Sequence, residues 1–355
     1  MNRGSAWRAR ALAAAILAAL PGCRGDASAE LPFSVQGLAL DTLFEIGAAE
    51  GEAWEAFGGI WDVEVAPDGY LAILDLEAPA VHVYGDDGGH VGSVTATGLD
   101  AGTLDRPSGI AWSGEGELLV WDPGSSWISR FEVRDTGVEF VDGWRAFAFG
   151  ETGFCSARGR TYLSYWQEGQ VVHEVGPEGL VGSFAPSPSI PGVETLDTGL
   201  EEIAIEELTP SDLFCARDGV LDVSFFGSQI RFHSWEGSLI WRRDFEDFNP
   251  LVVYTPDGMG LGRRFDQTEG SHLLRSVVPW GEEVALVQHE LRTQEFPEEG
   301  EVEMLESRLV RLEDGVELDR TRELPLILAA RGARLYSVPS GPFPRVIALE
   351  VPLGG

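Results

Sequence analysis

Lysine is absent from all 355 residues, so every one of the 25 basic side chains is an arginine. With alanine, glycine and arginine so frequent, a GC-rich coding sequence accounts for this better than a demand for guanidinium chemistry. Positive charge of any kind is scarce: 58 acidic residues leave a formal net charge of −33. Nucleic-acid binding needs a basic footprint, and attraction to anionic headgroups needs basic clusters, so both are excluded. Such a charge favours cations or basic partners, or plain solubility in a saline or extracytoplasmic setting. Short metal-ligand spacings are missing too. His82, His90, His173, His233, His272 and His289 are scattered and show none of the close His or Cys pairs of dedicated zinc sites. No metal ligand set and no cofactor motif are legible, and no Gly-x-Ser-x-Gly elbow occurs. The glycine string Gly258-Met259-Gly260-Leu261-Gly262 follows a Pro-Asp turn rather than opening a helix after a strand, which makes it a flexible loop and not a phosphate cradle.

Long apolar runs are also lacking. The uncharged stretch Ala11 to Leu20 breaks at Pro21 and Gly22 and turns polar at Arg24 and Asp26, well short of the roughly 20 residues that a bilayer core requires. Preceded by Arg3, Arg8 and Arg10, it reads as the h-region of an export signal. The sequence Leu20-Pro21-Gly22-Cys23 resembles the lipobox of bacterial lipoproteins, whose cysteine becomes the lipidated first residue. That resemblance implies a signal peptide over 1–22, a lipidated Cys23 with a tether over 23–33, and a folded part over 34–355. Lipid on Cys23 would be the chain's one link to a membrane, and its acyl chains would exceed the two signals that stable anchoring needs. Arg24 after the cysteine is compatible with sorting to the outer membrane, facing periplasm or cell surface. The alternative is an ordinary secretory signal with an incidental cysteine.

Cysteine is rare, with three in the chain. If Cys23 carries lipid, Cys155 and Cys215 remain as a candidate disulfide in an oxidising compartment. They stand in similar contexts, Phe154-Cys155-Ser156-Ala157-Arg158 and Phe214-Cys215-Ala216-Arg217, as if on equivalent strands of neighbouring repeats. The alternative is a pair of buried small hydrophobes.

What the chain does contain is apolar and strand-like. The hydrophobic share is 44%, with 11 Trp and 18 Phe, enough for a sizeable core. Past the tether, short β-rich runs alternate with Gly, Asp and Pro turns, and no sustained helical period interrupts them. The clearest unit runs from Ile60: Trp61 to Val65 alternates, Ala66-Pro67-Asp68-Gly69 turns, and Tyr70 to Asp75 returns. Val81 to Tyr84 and His90 to Val94 add two more runs. Similar units start at Gly109, Phe154 and Phe214, and looser ones cover Leu273 to His289 with Arg308 to Arg320, then Leu326 to Val351. Self-similarity at roughly 40–60 residues marks a propeller or an array.

Phe44-Glu45-Ile46-Gly47, Trp61 to Asp75 and Asp105-Arg106-Pro107-Ser108-Gly109-Ile110 resemble six-bladed NHL-type and TolB-like propeller repeats. The resemblance implies an all-β, six-bladed β-propeller. The last unit shows about three strand runs, and Leu38 to Ile46 is expected to donate the fourth, closing the ring and protecting its edges. Three stretches depart from the repeat: Pro186 to Asp212, Asp244 to Ser271 and the acidic Thr293 to Glu303. Each is expected to be a loop.

Propellers place ligands at the mouth of the central channel, so the resemblance points to Asp62, Arg106, Asp212, His272 and Arg275, all near the starts of innermost strands. Each has a structural alternative: Asp62 bonding turn amides, Arg106 pairing with Asp105, Arg275 closing a blade edge. The expected function is a membrane-anchored binding or scaffold lipoprotein that meets an envelope protein or a small-molecule ligand. The alternative is a metal-dependent hydrolase or lyase of the NHL or gluconolactonase-like kind. Against the latter, Asn249 is the one asparagine past the signal segment for a Glu-Asn-Asp ligand set.

Overall fold

The computed structural model describes residues 34–148, 153–190, 193, 196, 198–209, 211–224, 229–245, 251–254, 262–265, 271–292 and 304–352. The signal, lipidation and tether assignments over 1–33 lie outside the described residues.

Alternating side chains and glycine-bearing turns make successive runs pair with their neighbours. The first sheet contains β2 (Ile60–Val65), β3 (Leu71–Asp75), β4 (Ala80–Tyr84) and β5 (His90–Val94). The second contains β6 (Gly109–Gly114), β7 (Glu117–Asp122), β8 (Trp127–Arg134) and β9 (Gly137–Arg145). In the third are β10 (Phe154–Ala157), β11 (Arg160–Gln167), β12 (Gln170–Gly176) and β13 (Gly179–Pro186). The fourth is built from β14 (Asp212–Ala216), β15 (Gly219–Ser224), β16 (Gln229–Ser234) and β17 (Leu239–Asp244). The fifth has β20 (Ser271–Trp280), β21 (Val284–Arg292), β22 (Met304–Arg311) and β23 (Glu317–Thr321). Three late strands, β24 (Ile327–Arg331), β25 (Arg334–Ser337) and β26 (Val346–Glu350), form the sixth sheet together with β1 (Asp41–Ile46). β1 lies antiparallel to β26, with Asp41 opposite Glu350 and Ile46 opposite Val346. Turn chemistry fits this pairing. Gly69 holds φ at +104°, a region L-residues avoid, and a Cβ on Gly219 would lie 1.8 Å from the His233 carbonyl oxygen.

Each sheet buries both faces, because it meets a neighbour on either side. Six apolar layers result, one at every junction. Leu74 and Val83 of the first sheet pack with Ile110 and Trp112 of the second, and Ala111 and Trp121 of the second with Leu163 of the third. Tyr162 and Val172 meet Val220 of the fourth sheet, while Leu221 and Phe232 meet Val277 and Val287 of the fifth. Trp280 and Leu286 meet Leu335 of the sixth, and Tyr336 and Ala348 return to Ile73 and Tyr84 of the first. The innermost strands touch in the cyclic order β2, β6, β10, β14, β20, β24 and back to β2. The molecule is a six-bladed β-propeller, in which each blade hides apolar faces that it could not bury alone.

Two of the three expected loops hold regular structure. Within 186–212, α1 (Thr198–Leu208) buries Ala204 and Leu208 against Ile190 and Val193, a small core of its own. Leu200, Ala204 and Leu208 fall one helical turn apart, too short a pattern to register against the surrounding strands. Within 244–271, β18 (Leu251–Tyr254) and β19 (Gly262–Phe265) pair as an isolated hairpin. The stretch 293–303 lies outside the described residues.

Candidate functional site

Strand direction sorts every connection to one end of the ring or the other. At the end where the innermost strands finish, strands are joined by turns of two to five residues. At the opposite end, here called the leading end because the innermost strands begin there, lies every connection longer than five residues. All three departures from the repeat are rooted there: 186–212 leads into β14, 244–271 leads into β20, and 293–303 joins β21 to β22. Chemistry-bearing loops on a rigid scaffold are the usual seat of function.

Buried polar side chains fix those connections. Asp75, fully buried at the end of β3, accepts hydrogen bonds from the amides of Gly58 (2.7 Å), Gly59 (2.9 Å) and Glu77 (3.1 Å). Asp122, at the end of β7, accepts from Asp105 (2.6 Å), Arg106 (3.0 Å) and Ser125 (3.2 Å). Ser164 accepts from the Ser211 amide at 2.7 Å. Gln288 accepts from the Ile327 amide at 2.6 Å and donates to the Pro325 carbonyl at 2.8 Å. Amides that would be costly to bury unpaired are thereby satisfied, and the loops leading into innermost strands acquire a set position.

The residues singled out in sequence are distributed around this end. Asp62, on β2, accepts from the Val63 amide at 2.8 Å and, across the blade junction, from the Ile110 amide at 3.2 Å. Burial pushes its carboxyl up to about 6, against the opposing pull of those two amides. Glu64, two residues on along the same face of the strand, is raised well above the usual carboxylate range by burial and then by the neighbouring Asp62 charge. Sequence reading missed Glu64, although its i, i+2 spacing from Asp62 carried the signal. Arg106 is exposed, with Nε 3.9 Å from Asp105. Asp212 opens β14 and is exposed. Arg275 sits at a bulge of β20, and its Nε lies 3.3 Å from the Glu290 carboxylate on β21. His272 is the second residue of β20; its side chain lies outside the described residues. Cys155 and Cys215 form a disulfide, with Cα atoms 5.5 Å apart, joining the innermost strands of the third and fourth blades. Cys23 lies outside the described residues. Among the described residues, no three His, Cys, Asp or Glu side chains converge as a metal-holding group, and no described helix is long and apolar enough to cross a membrane.

Aromatic and cationic side chains also crowd the leading end near the second blade, a grouping sequence reading missed. Trp61 donates Nε1–H to the Ser108 carbonyl at 3.1 Å, and Trp127 donates to the Leu99 carbonyl at 3.2 Å. Arg145 lies 4.4 Å above the Trp127 ring and donates to the Ser125 carbonyl at 2.8 Å.

No family model matches the chain, and no curated protein matches its sequence. A solved structure from Bacteroides fragilis, of a protein described as exported, is similar over 88% of this chain and 95% of its own, at 10% identity and a TM-score of 0.57. Virginiamycin B lyase from Staphylococcus aureus is similar over 88% and 99%, at 10% identity and a TM-score of 0.49. At such identity the likeness is one of fold, and function has to be argued from the site.

Proposed function

We propose that this propeller is an extracytoplasmic binding or scaffold protein, anchored to the cell envelope by lipid on Cys23, which presents its leading end to a partner protein or small ligand. The carrying observation is the inequality of the two ends: short turns at one, and at the other every long connection, with buried Asp75, Asp122, Ser164 and Gln288 setting the loop bases. Preset loops lower the ordering cost of recognition. The extracytoplasmic reading is supported by the export-signal pattern of residues 1–22 and by the Cys155–Cys215 disulfide, since such bonds persist in oxidising compartments.

Expression with labelled fatty acid tests the anchor. The full chain is expected to incorporate label and sediment with membranes, and Cys23→Ser to do neither; a labelled Cys23→Ser variant would refute lipidation at this residue. Binding without turnover is tested on chain purified without chelators. A near-stoichiometric divalent ion, together with hydrolysis or bond cleavage that Asp62→Ala abolishes, would replace the binding role with the enzymatic one.

A further inference from the structure

Most described arginines reach a carboxylate, as a chain of net charge −33 would lead one to expect. Arg145 does not. It is exposed at the leading end, held by the Ser125 carbonyl and stacked on Trp127, with no acidic side chain among the described residues within ion-pair distance. Large apolar groups at the same end stand in water: Phe147, two residues further along the chain, is 77% exposed, Leu99 63% and Trp61 47%. Arg106, at the same rim, meets a carboxylate only at 3.9 Å.

One buried side chain ties Arg106 to Arg145, Trp127 and Leu99. The Asp122 carboxylate receives the Asp105 amide on one oxygen and the amides of Arg106 and Ser125 on the other. Ser125 in turn holds Arg145, Arg145 lies over Trp127, and Trp127 is bonded to Leu99. Trp61 is bonded to Ser108, two residues beyond Arg106. The side chains of Trp61, Trp127 and Arg145 and the backbone of Arg106 are therefore set in place before anything binds.

We infer that this rim, formed by Trp61, Leu99, Arg106, Trp127, Arg145 and Phe147, docks a protein segment bearing an apolar side chain flanked by carboxylates. The inference rests on the leading end being the binding end, and it supplies the chemistry of the partner. Small ligands are enclosed by concave sites that cover most of their surface, whereas these side chains stand outward on loops, where a partner's surface has to cover them. Pre-positioned Trp and Arg side chains are the residue types that dominate protein–protein affinity. Within a strongly acidic molecule, an arginine with no counter-ion among the described residues selects a carboxylate by charge complementarity.

The probe is a phage-displayed library of random peptides panned on the intact chain. Enriched peptides are expected to carry an aromatic or branched apolar residue within two positions of Asp or Glu. Binding should weaken at least about tenfold in Arg145→Gln and in Phe147→Ser, a loss of about 1.4 kcal/mol. Phe147 is so exposed that its variant keeps the fold even if Arg145→Gln does not, and unchanged thermal unfolding verifies this. Enrichment of basic peptides, or of peptides indifferent to both variants, overturns the inference. Two further outcomes overturn it in favour of another occupant: retention on alginate that Arg145→Gln abolishes, and a concentration-dependent dimer that Phe147→Ser abolishes. Peptides that ignore both variants yet protect other leading-end loops from exchange sink the rim alone and leave the binding end standing; protection at the short-turn end sinks both.

Discussion

Asp62 spans two blades with one carboxyl, taking an amide from its own strand and another from Ile110 of the next. Its raised value, about 6 against an ordinary 3.8, means that the folded chain holds this proton more tightly than the unfolded chain. The stability gained from that proton is complete below about pH 4 and is lost as pH rises through about 6. Asp62→Asn cannot ionise, and its one side-chain oxygen keeps one of the two amides, which on Asp62 bond different oxygens, so the lost bond adds a cost that does not vary with pH. Its stability relative to the parent should rise from pH 4 and level off above pH 6, by no more than about 3 kcal/mol. Urea unfolding between pH 4 and 8 measures this, and a difference independent of pH would show that Asp62 is ionised throughout. Asp62 was legible in sequence as a polar residue near the start of an innermost strand. The roles of Asp75 and Asp122 were not, because a carboxylate that caps a loop 16 or 17 residues upstream leaves no local pattern.

At the scale of strands and turns, period-two alternation and glycine turns located the repeats, and the structure pairs Phe154 to Ala157 and Phe214 to Ala216 as innermost strands of adjacent blades. Helix α1 and the hairpin of β18 and β19 escaped notice for opposite reasons. The helix rests on a four-residue core within its own insertion, and the hairpin pairs with nothing but itself, so neither inherits the period of the ring. The Cys155–Cys215 bond clips together two innermost strands separated by 60 residues. Loop-closure entropy for that span corresponds to as much as about 4 kcal/mol. Cys155→Ala/Cys215→Ala should therefore lower the denaturant midpoint, and the parent should fall to the same midpoint under reductant. Equal midpoints for parent and variant without reductant would mean that the clip adds nothing to folding.

Across the whole molecule, each blade lends its faces to two neighbours, so cooperativity belongs to the ring rather than to any blade. β1 comes from the opposite end of the chain to its partner β26, and Ile46 packs into the layer between the sixth and first blades. A chain beginning at residue 47 leaves the β26 edge unpaired, a template for aggregation. Scanning calorimetry should show a lower, broader transition with precipitation, while an unchanged sharp transition would mean that the sixth blade stands without β1. The ring architecture was legible because repetition is written many times over. The sidedness of the ring emerged only once strand directions placed the described roots of 186–212, 244–271 and 293–303 at one end.

Hydrogen exchange with and without a bound peptide from the library tests that sidedness directly. Protection is expected over 96–108, 123–127 and 145–147, with the two- to five-residue turns at the far end unchanged. Protection confined to those turns, or spread along the outer edges β9, β13 and β17, would contradict the account.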